Sequence, residues 1–292
     1  MDIATIALVL ASSATHAYWN FLIKRSAGGS TFIGLSKVVE VVVFAPAFLW
    51  WSAAGSGVLI GAWWIVVGGA MLALLNYVAL AKAYETGDLS VVYPVARGAT
   101  LLFLPALGFV VFGEHISAMG WLGIGSVMAG IAVIRLPAFS SAAVRGFAHM
   151  LRSRSIAFAL IAAAATAGYT VWDKNAVQTL PTFTYFYSYT AMTAVLYLAY
   201  LSRRVPRGAL TTEWREKKWP IIQVGVLNTV SYLLVLIALR SGTSSYVLAL
   251  RQLSIGIGVF LGWRLLREDL ALPKRVGVGL LVAGCLLVGV AR

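Results

Sequence analysis

The second half of this chain repeats the first in its apolar core but not in its charges, and few folds admit that combination. Asn76-Tyr77 and, after nine intervening residues, Gly87 return as Ser231-Tyr232 and Gly242, each 155 positions on. Arg97, Glu114, Gly123 and Gly130 return as Arg251, Glu268, Gly277 and Gly284, each 154 positions on. The basic residues do not follow. The stretch from Trp51 to Gly61 holds no Lys or Arg, whereas its counterpart at 203–218 holds Arg203, Arg204, Arg207, Arg215, Lys217 and Lys218. The turn Gly113-Glu114-His115 is bare, and its counterpart is flanked by Arg264, Arg267, Lys274 and Arg275. An odd number of membrane spans per copy explains this. The second copy then enters the bilayer from the opposite side, and the cationic loops follow the topology while the core stays.

Runs of predominantly apolar residues, each near the ~20 residues that cross a bilayer, fall at 3–23, 31–51, 60–82, 89–112 and 116–135. The second half gives 156–177, 182–202, 219–240, 243–265 and 271–291. Only 11% of residues are charged, against about 25% in soluble domains. The expected fold is therefore an all-α integral membrane protein, with ten transmembrane helices as two inverted five-helix repeats. Residues 1–136 and 156–292 form the repeats, and 137–155 form a basic connecting loop. The net charge of +13 does not imply nucleic acid, because the cations sit in short loops between spans, where they set topology. Positive-inside counting puts the loops after helices one, three, five, seven and nine in the cytoplasm and both termini outside. The first run is read as a span and not a cleavable signal, since Lys24-Arg25 follow it and no cation precedes it. The single Cys285 permits no internal disulfide.

Ionisable groups at membrane depth cost at least about 2.5–3.5 kcal/mol near a helix centre and usually meet a cavity or a partner. Arg97 and Arg251 occupy matching positions in helices four and nine. Either they line a central cavity and hold a carboxylate through the guanidinium fork, or each pairs with a helix-end carbonyl or a nearby acid. Lys37 and Glu40, three apart on helix two, read as an internal ion pair, with Glu40 as the alternative partner of a substrate amine or a proton. Asp173-Lys174 reads the same way. His16 and Asn20 share a face of helix one beside Trp19, to which Trp172 of helix six corresponds. His16 is either hydrogen-bonded to a neighbour or able to carry a proton. Tyr77 and Tyr232 match across the repeat as cavity-lining candidates. Tyr93 lies one turn before Arg97, and Pro94 beside it frees a carbonyl. Tyr185 and Tyr189 are rim or core residues.

No G-x-x-x-x-G-K-[ST], H-E-x-x-H or G-x-S-x-G pattern is present, so nothing marks a nucleotidase, protease or lipase. The glycines at 120, 123, 125, 130, 277, 279, 284 and 289 read as close helix packing. His16-Ala17-Tyr18-Trp19-Asn20-Phe21-Leu22-Ile23-Lys24 resembles the H-A-x-W-N-x-x-x-K opening of the EamA family, within the drug/metabolite transporter superfamily. The stretch from Gly87 to Gly98 and the Gly113-Glu114 turn resemble further family motifs, with Arg267-Glu268 as a second-half echo. The resemblance covers the whole chain. It implies a ten-helix secondary transporter, often a YddG-like amino-acid exporter, in which helices one to four and six to nine surround the cavity. It also implies cytoplasmic termini, against the Lys/Arg count. The second half departs from the motif at Ser245 to Arg251, which lacks the proline.

The resulting expectation is a non-enzymatic exporter of the bacterial inner membrane, without cofactor or metal, working as a monomer by alternating access. Its cavity would be walled by Trp19, Tyr77, Tyr93, Trp172 and Tyr232. Arg97 or Arg251 would meet an amino-acid carboxylate, and an aromatic ring or Glu40 would meet the ammonium. Its partners would be a small metabolite and membrane lipids. Efflux of organic cations is the alternative, and an enzyme acting on lipid-linked intermediates the more distant one.

Overall fold

The computed structural model describes residues 1–56, 60–86, 89–136, 139, 153–206 and 208–291, excluding the side chains at 56, 60, 81, 84, 85, 89–91, 93 and 94. Ten long helices run through the described residues. The first half contains α1 (Ile3–Arg25), α2 (Ser30–Trp51), α3 (Trp63–Thr86), α4 (Leu89–Phe112) and α5 (Ala118–Ile134). The second contains α6 (Arg154–Thr179), α7 (Thr182–Ser202), α8 (Ala209–Leu239), α9 (Ser244–Leu266) and α10 (Leu272–Val290). Eight of these are long and apolar enough to cross a membrane. Of the others, α5 has 17 residues, and α7 is less hydropathic because Tyr, Thr and Ser fill its first turns.

Local chemistry sets the helix ends. The Asp2 carboxylate accepts the Thr5 N–H at 2.5 Å and caps α1, and Ser117 caps α5 by accepting from Gly120. Helices α4 and α9 stop in the same way. A residue in the left-handed region, Gly113 (φ 66°) or Arg267 (φ 55°), lets the following glutamate N–H reach back to a glycine carbonyl. Glu114 N bonds Gly108 O at 3.2 Å, and Glu268 N bonds Gly262 O at 3.1 Å.

Two sequence expectations need correction. The basic stretch 203–218 is not all loop: α8 begins at Ala209, and its cationic first turns bend into the apolar part at Lys217 (φ −127°), three residues before Pro220. Helix α9 is one span but not uniform: at Gln252 (φ −64°, ψ −12°) it tightens by a turn, with Gln252 N bonding Ala249 O at 3.1 Å, between Ser244–Arg251 and Leu253–Leu266. The connecting loop falls largely outside the described residues, and Arg145 and Arg152 with it.

Packing follows an exchange of halves. Helix α3 packs on α6 as α8 packs on α1, α4 on α6 as α9 on α1, and α2 on α8 as α7 on α3; α2 meets α7, and α5 meets α10. Polar latches recur at the repeated positions. Asn76 of α3 donates to Ala162 O (2.9 Å) and Thr166 Oγ1 (2.7 Å) of α6, while Ser231 of α8 donates to Ser12 O (3.0 Å) of α1. Helices α5 and α10 touch through glycines, because a Cβ at Gly123 would lie 2.9 Å from Gly284 O and one at Gly130 2.6 Å from Gly277 O. Large apolar side chains such as Trp50, Val110, Leu122 and Leu286 point outward, as a lipid-facing surface requires.

The helices alternate between two faces. On one, the terminal face, Met1 N meets Ala291 O at 3.4 Å, and the Gly113-Glu114 turn meets the start of α9. On the other, the basic face, Lys24 meets Glu268, Lys217 reaches Ala27 O (3.5 Å), and Lys82 of α3 covers Phe158 of α6. Helix α1 thus starts on the terminal face and α6 on the basic face.

Candidate functional site

Two cavities lie between the halves. The smaller, of about 80 Å³, is lined by Lys37, Gly69, Asn76, Tyr77, Tyr169, Asp173, Tyr189, Asn228 and Tyr232, among others. The larger, of about 640 Å³, opens on the basic face and is lined by His16, Asn20, Lys24, Arg97, Arg135, Glu268 and Lys274, among others. Arg251 stands between them. Its Nη2 lies 3.3 Å from His16 Nδ1, and its guanidinium caps the Tyr232 ring at 5.4 Å. The tightened turn at Gln252 comes directly after this residue, so Arg251 ends a short helical piece whose eight residues are all buried.

On the other side of Tyr232 is a carboxylate. Asp173 of α6 is 2% exposed, and its two oxygens accept from Tyr185 and Tyr232 hydroxyls, each at 2.5 Å. No ion pair to Asp173 is formed among the described residues. A buried carboxylate without a counter-ion is costly and usually has a functional reason at membrane depth. Arg251 has an unmet need as well: its Nε is buried with no hydrogen-bond partner, and such a donor costs about 1–3 kcal/mol until an acceptor arrives. Tyr169, Tyr189 and Phe186 complete an aromatic wall.

The structure distributes the sequence candidates unevenly. Tyr77 and Tyr232 line the smaller cavity, and His16, Asn20 and Arg97 line the larger. The Tyr93 side chain lies outside the described residues. Glu40 sits directly behind the wall of the smaller cavity: at 2% exposure it pairs with Lys37 (2.9 Å) and accepts from Asn228 Nδ2 (2.9 Å), both of which line that cavity. Trp172 is a helix clamp, with its indole N–H on Ile65 O at 2.8 Å and its ring against Gly68. Trp19 packs edge-on to His16 at 4.8 Å, away from both walls. Asp173 and Lys174 do not pair with each other. Successive helical positions point about 100° apart, and Lys174 turns instead to Glu114 at 2.5 Å. Sequence reasoning had Asp173 in view but gave it the wrong partner. It missed Asn228 and the cavity-facing threonines 190 and 193, which lack any repeat signal.

The second half, residues 153–290, matches the EamA-like transporter family. Spermidine export protein MdtI of Cronobacter sakazakii is 36% identical over 73 residues, 24% of this chain and 67% of that protein. MdtI of Shigella flexneri is 33% identical over 63 residues, covering 22% and 58%, and that of an Enterobacter strain is 36% identical over 58 residues, covering 20% and 53%. The chain therefore spans between about half and two thirds of the length of these relatives. A solved crystal structure matches 98% of the chain and 96% of its own with a TM-score of 0.76 at 13% identity, which speaks to the fold alone. Helix pattern, packing and relatives agree: this multi-pass membrane protein belongs to the EamA-like transporter family of the drug/metabolite transporter superfamily.

Proposed function

We propose that the chain exports small zwitterionic metabolites of the amino-acid class across the bacterial inner membrane, by alternating access between two inverted repeats spanning 1–136 and 156–292. The basic face is cytoplasmic, because the loops rich in Lys and Arg gather there. One observation carries the substrate reading: an unsatisfied Arg251 Nε and a carboxylate without an ion pair, Asp173, stand on two sides of the Tyr232 ring. A zwitterion offers the acceptor that one lacks and the cation that the other lacks. Arg97 and His16 place further polar groups on the basic-face approach. The tyrosine walls suit an apolar side chain or an ammonium over a ring. The cavity of about 80 Å³ beside Asp173 and Tyr232 suits a small solute, with the larger one of about 640 Å³ as its approach. The monomer suffices for this cycle, since one chain holds both repeats.

Counterflow of labelled amino acids in proteoliposomes tests the reading. Arg251→Ala and Asp173→Asn are each expected to lower uptake at least about tenfold, since each removes a charge-assisted contact. Unchanged uptake in both sinks the site. A second reading, efflux of polyamines, is favoured by Asp173 and by the relatives named as spermidine exporters. The same liposomes separate the two, because Arg251→Ala would spare a polycation and impair a zwitterion.

A further inference from the structure

The repeated glutamate turn occurs twice in one structure, in two different states. Each copy is built alike: a helix ends in a left-handed residue, and the glutamate after it folds its carboxylate back over a glycine of the same helix. A Cβ at Gly108 would lie 2.5 Å from Glu114 Oε2, and one at Gly262 2.8 Å from Glu268 Oε2. Each glutamate takes a lysine from the first helix of the other half, Glu114 from α6 and Glu268 from α1.

The surroundings differ. On the terminal face, the Lys174 and Glu114 side chains are 9% and 7% exposed. Glu114 also accepts from Ser244 N (2.9 Å) and Ser244 Oγ (2.6 Å), and Lys174 donates to Gly242 O (2.8 Å). The knot ties α4, α6 and the start of α9 together, with Glu114 accepting the Ser244 N–H that has no partner within its own helix. On the basic face, the Lys24 and Glu268 side chains are 62% and 35% exposed and stand at the mouth of the larger cavity. Among the described residues Glu268 has Lys24 as its sole side-chain partner. The sequence counterpart of Ser244, 154 positions earlier, is Ser90 in the first turn of α4.

We infer that the two glutamate turns are reciprocal gates. In the state seen, the Lys174–Glu114 knot seals the terminal face and the Lys24–Glu268 pair flanks the open basic face. In the opposite state the roles exchange: the first knot parts, and Glu268 with Lys24 closes on the start of α4 as Glu114 and Lys174 now close on α9. The argument rests on the alternating-access reading. It adds which groups hold each face and predicts that neutralising one gate favours the opposite opening.

Thiol accessibility tests this without knowledge of the substrate. A Cys285→Ala background carries one reporter, Ala73→Cys, on the wall of the smaller cavity. An impermeant thiosulfonate is then applied to either side of sealed vesicles. Glu114→Gln is expected to raise labelling from the terminal face relative to the basic face by about tenfold or more, because a broken buried pair strongly destabilises the state that contains it. Glu268→Gln is expected to move the ratio the other way. The charge swap Lys174→Glu with Glu114→Lys, which keeps a pair, controls for misfolding and should restore part of the original ratio. If the reporter reacts from both faces and neither glutamine moves the ratio, or both move it the same way, the gates are overturned while alternating access stands. Reaction from one face only in every variant overturns both.

Discussion

Gly130→Ala tests whether α5 and α10 meet through their backbones. A methyl group at this position would lie 2.6 Å from Gly277 O and 2.7 Å from Leu281 N, against the 3.4 Å at which ordinary contact begins. Both are backbone atoms, so no rotamer can relieve the overlap, and the helices must part by about 0.7–0.8 Å at that level. Overpacking of this kind costs about 1–3 kcal/mol. Against it stands the gain of about 0.5–1 kcal/mol when alanine replaces glycine inside a helix. Gly125 and Gly279 supply the control: they lie on the same two helices, are exposed, and have nothing within 4 Å of an added Cβ. Alanine there should bring the gain alone. Thermal unfolding of detergent-solubilised protein, read by loss of the monodisperse chromatographic peak, should place Gly130→Ala clearly below Gly279→Ala, by roughly the 1–3 kcal/mol of the clash. Equal stability of the two variants would refute the backbone seam. The reciprocal variant Gly277→Ala, whose Cβ would meet Ile134 N at 2.6 Å and Gly130 O at 2.7 Å, should repeat the loss.

Three further outcomes follow from the same geometry. Glu40→Gln leaves the partly buried Lys37 beside a neutral amide and should destabilise, by at most the about 3–5 kcal/mol of a fully buried pair, whereas the double variant Lys37→Met with Glu40→Met should recover most of that in the same thermal assay. Gly69→Ala places a methyl group against the Tyr185 hydroxyl. Pushing that donor off Asp173 should lower transport severalfold with little loss of thermal stability, and an unchanged rate would detach Tyr185 from the site. Tyr246→Phe removes the acceptor of the Ser117 N–H (3.0 Å) at the start of α5. It should cost about 1–3 kcal/mol, seen as earlier melting.

Ten apolar runs could be read from the sequence because each approaches the length of a membrane helix, and each lies on one of the ten long helices, eight of them long and apolar enough to cross a bilayer. The repeat itself could be read because Arg97/Arg251 and Glu114/Glu268 keep their spacing, and the cations that moved raised the expectation that the halves enter from opposite sides. The matched tyrosines Tyr77 and Tyr232 were visible for the same reason. What stayed hidden depends on rotation about a helix axis. Asp173 and Lys174 are adjacent in sequence yet serve different partners, Asp173 at the smaller cavity and Lys174 at the Glu114 turn, and an adjacent pair of opposite charges invites the wrong assignment. Trp172 looked like a cavity wall, but only the approach of α3 at Gly68 shows it as a clamp. The tightened turn after Arg251 was equally silent, since Gln252 is neither glycine nor proline and keeps helical backbone angles.

Arg267 carries a consequence of its own. Its backbone occupies the left-handed region at φ 55°, where the first half places Gly113 at φ 66°. An L-residue other than glycine holds that conformation at a cost of roughly 1–2 kcal/mol. The duplicated turn thus keeps its shape while accepting strain in order to display a cation, as the proposed cytoplasmic position of that corner would call for. Folding and insertion make opposing requests of one residue here. An Arg267→Gly chain would gain stability and weaken the signal that fixes which way round the protein sits in its membrane.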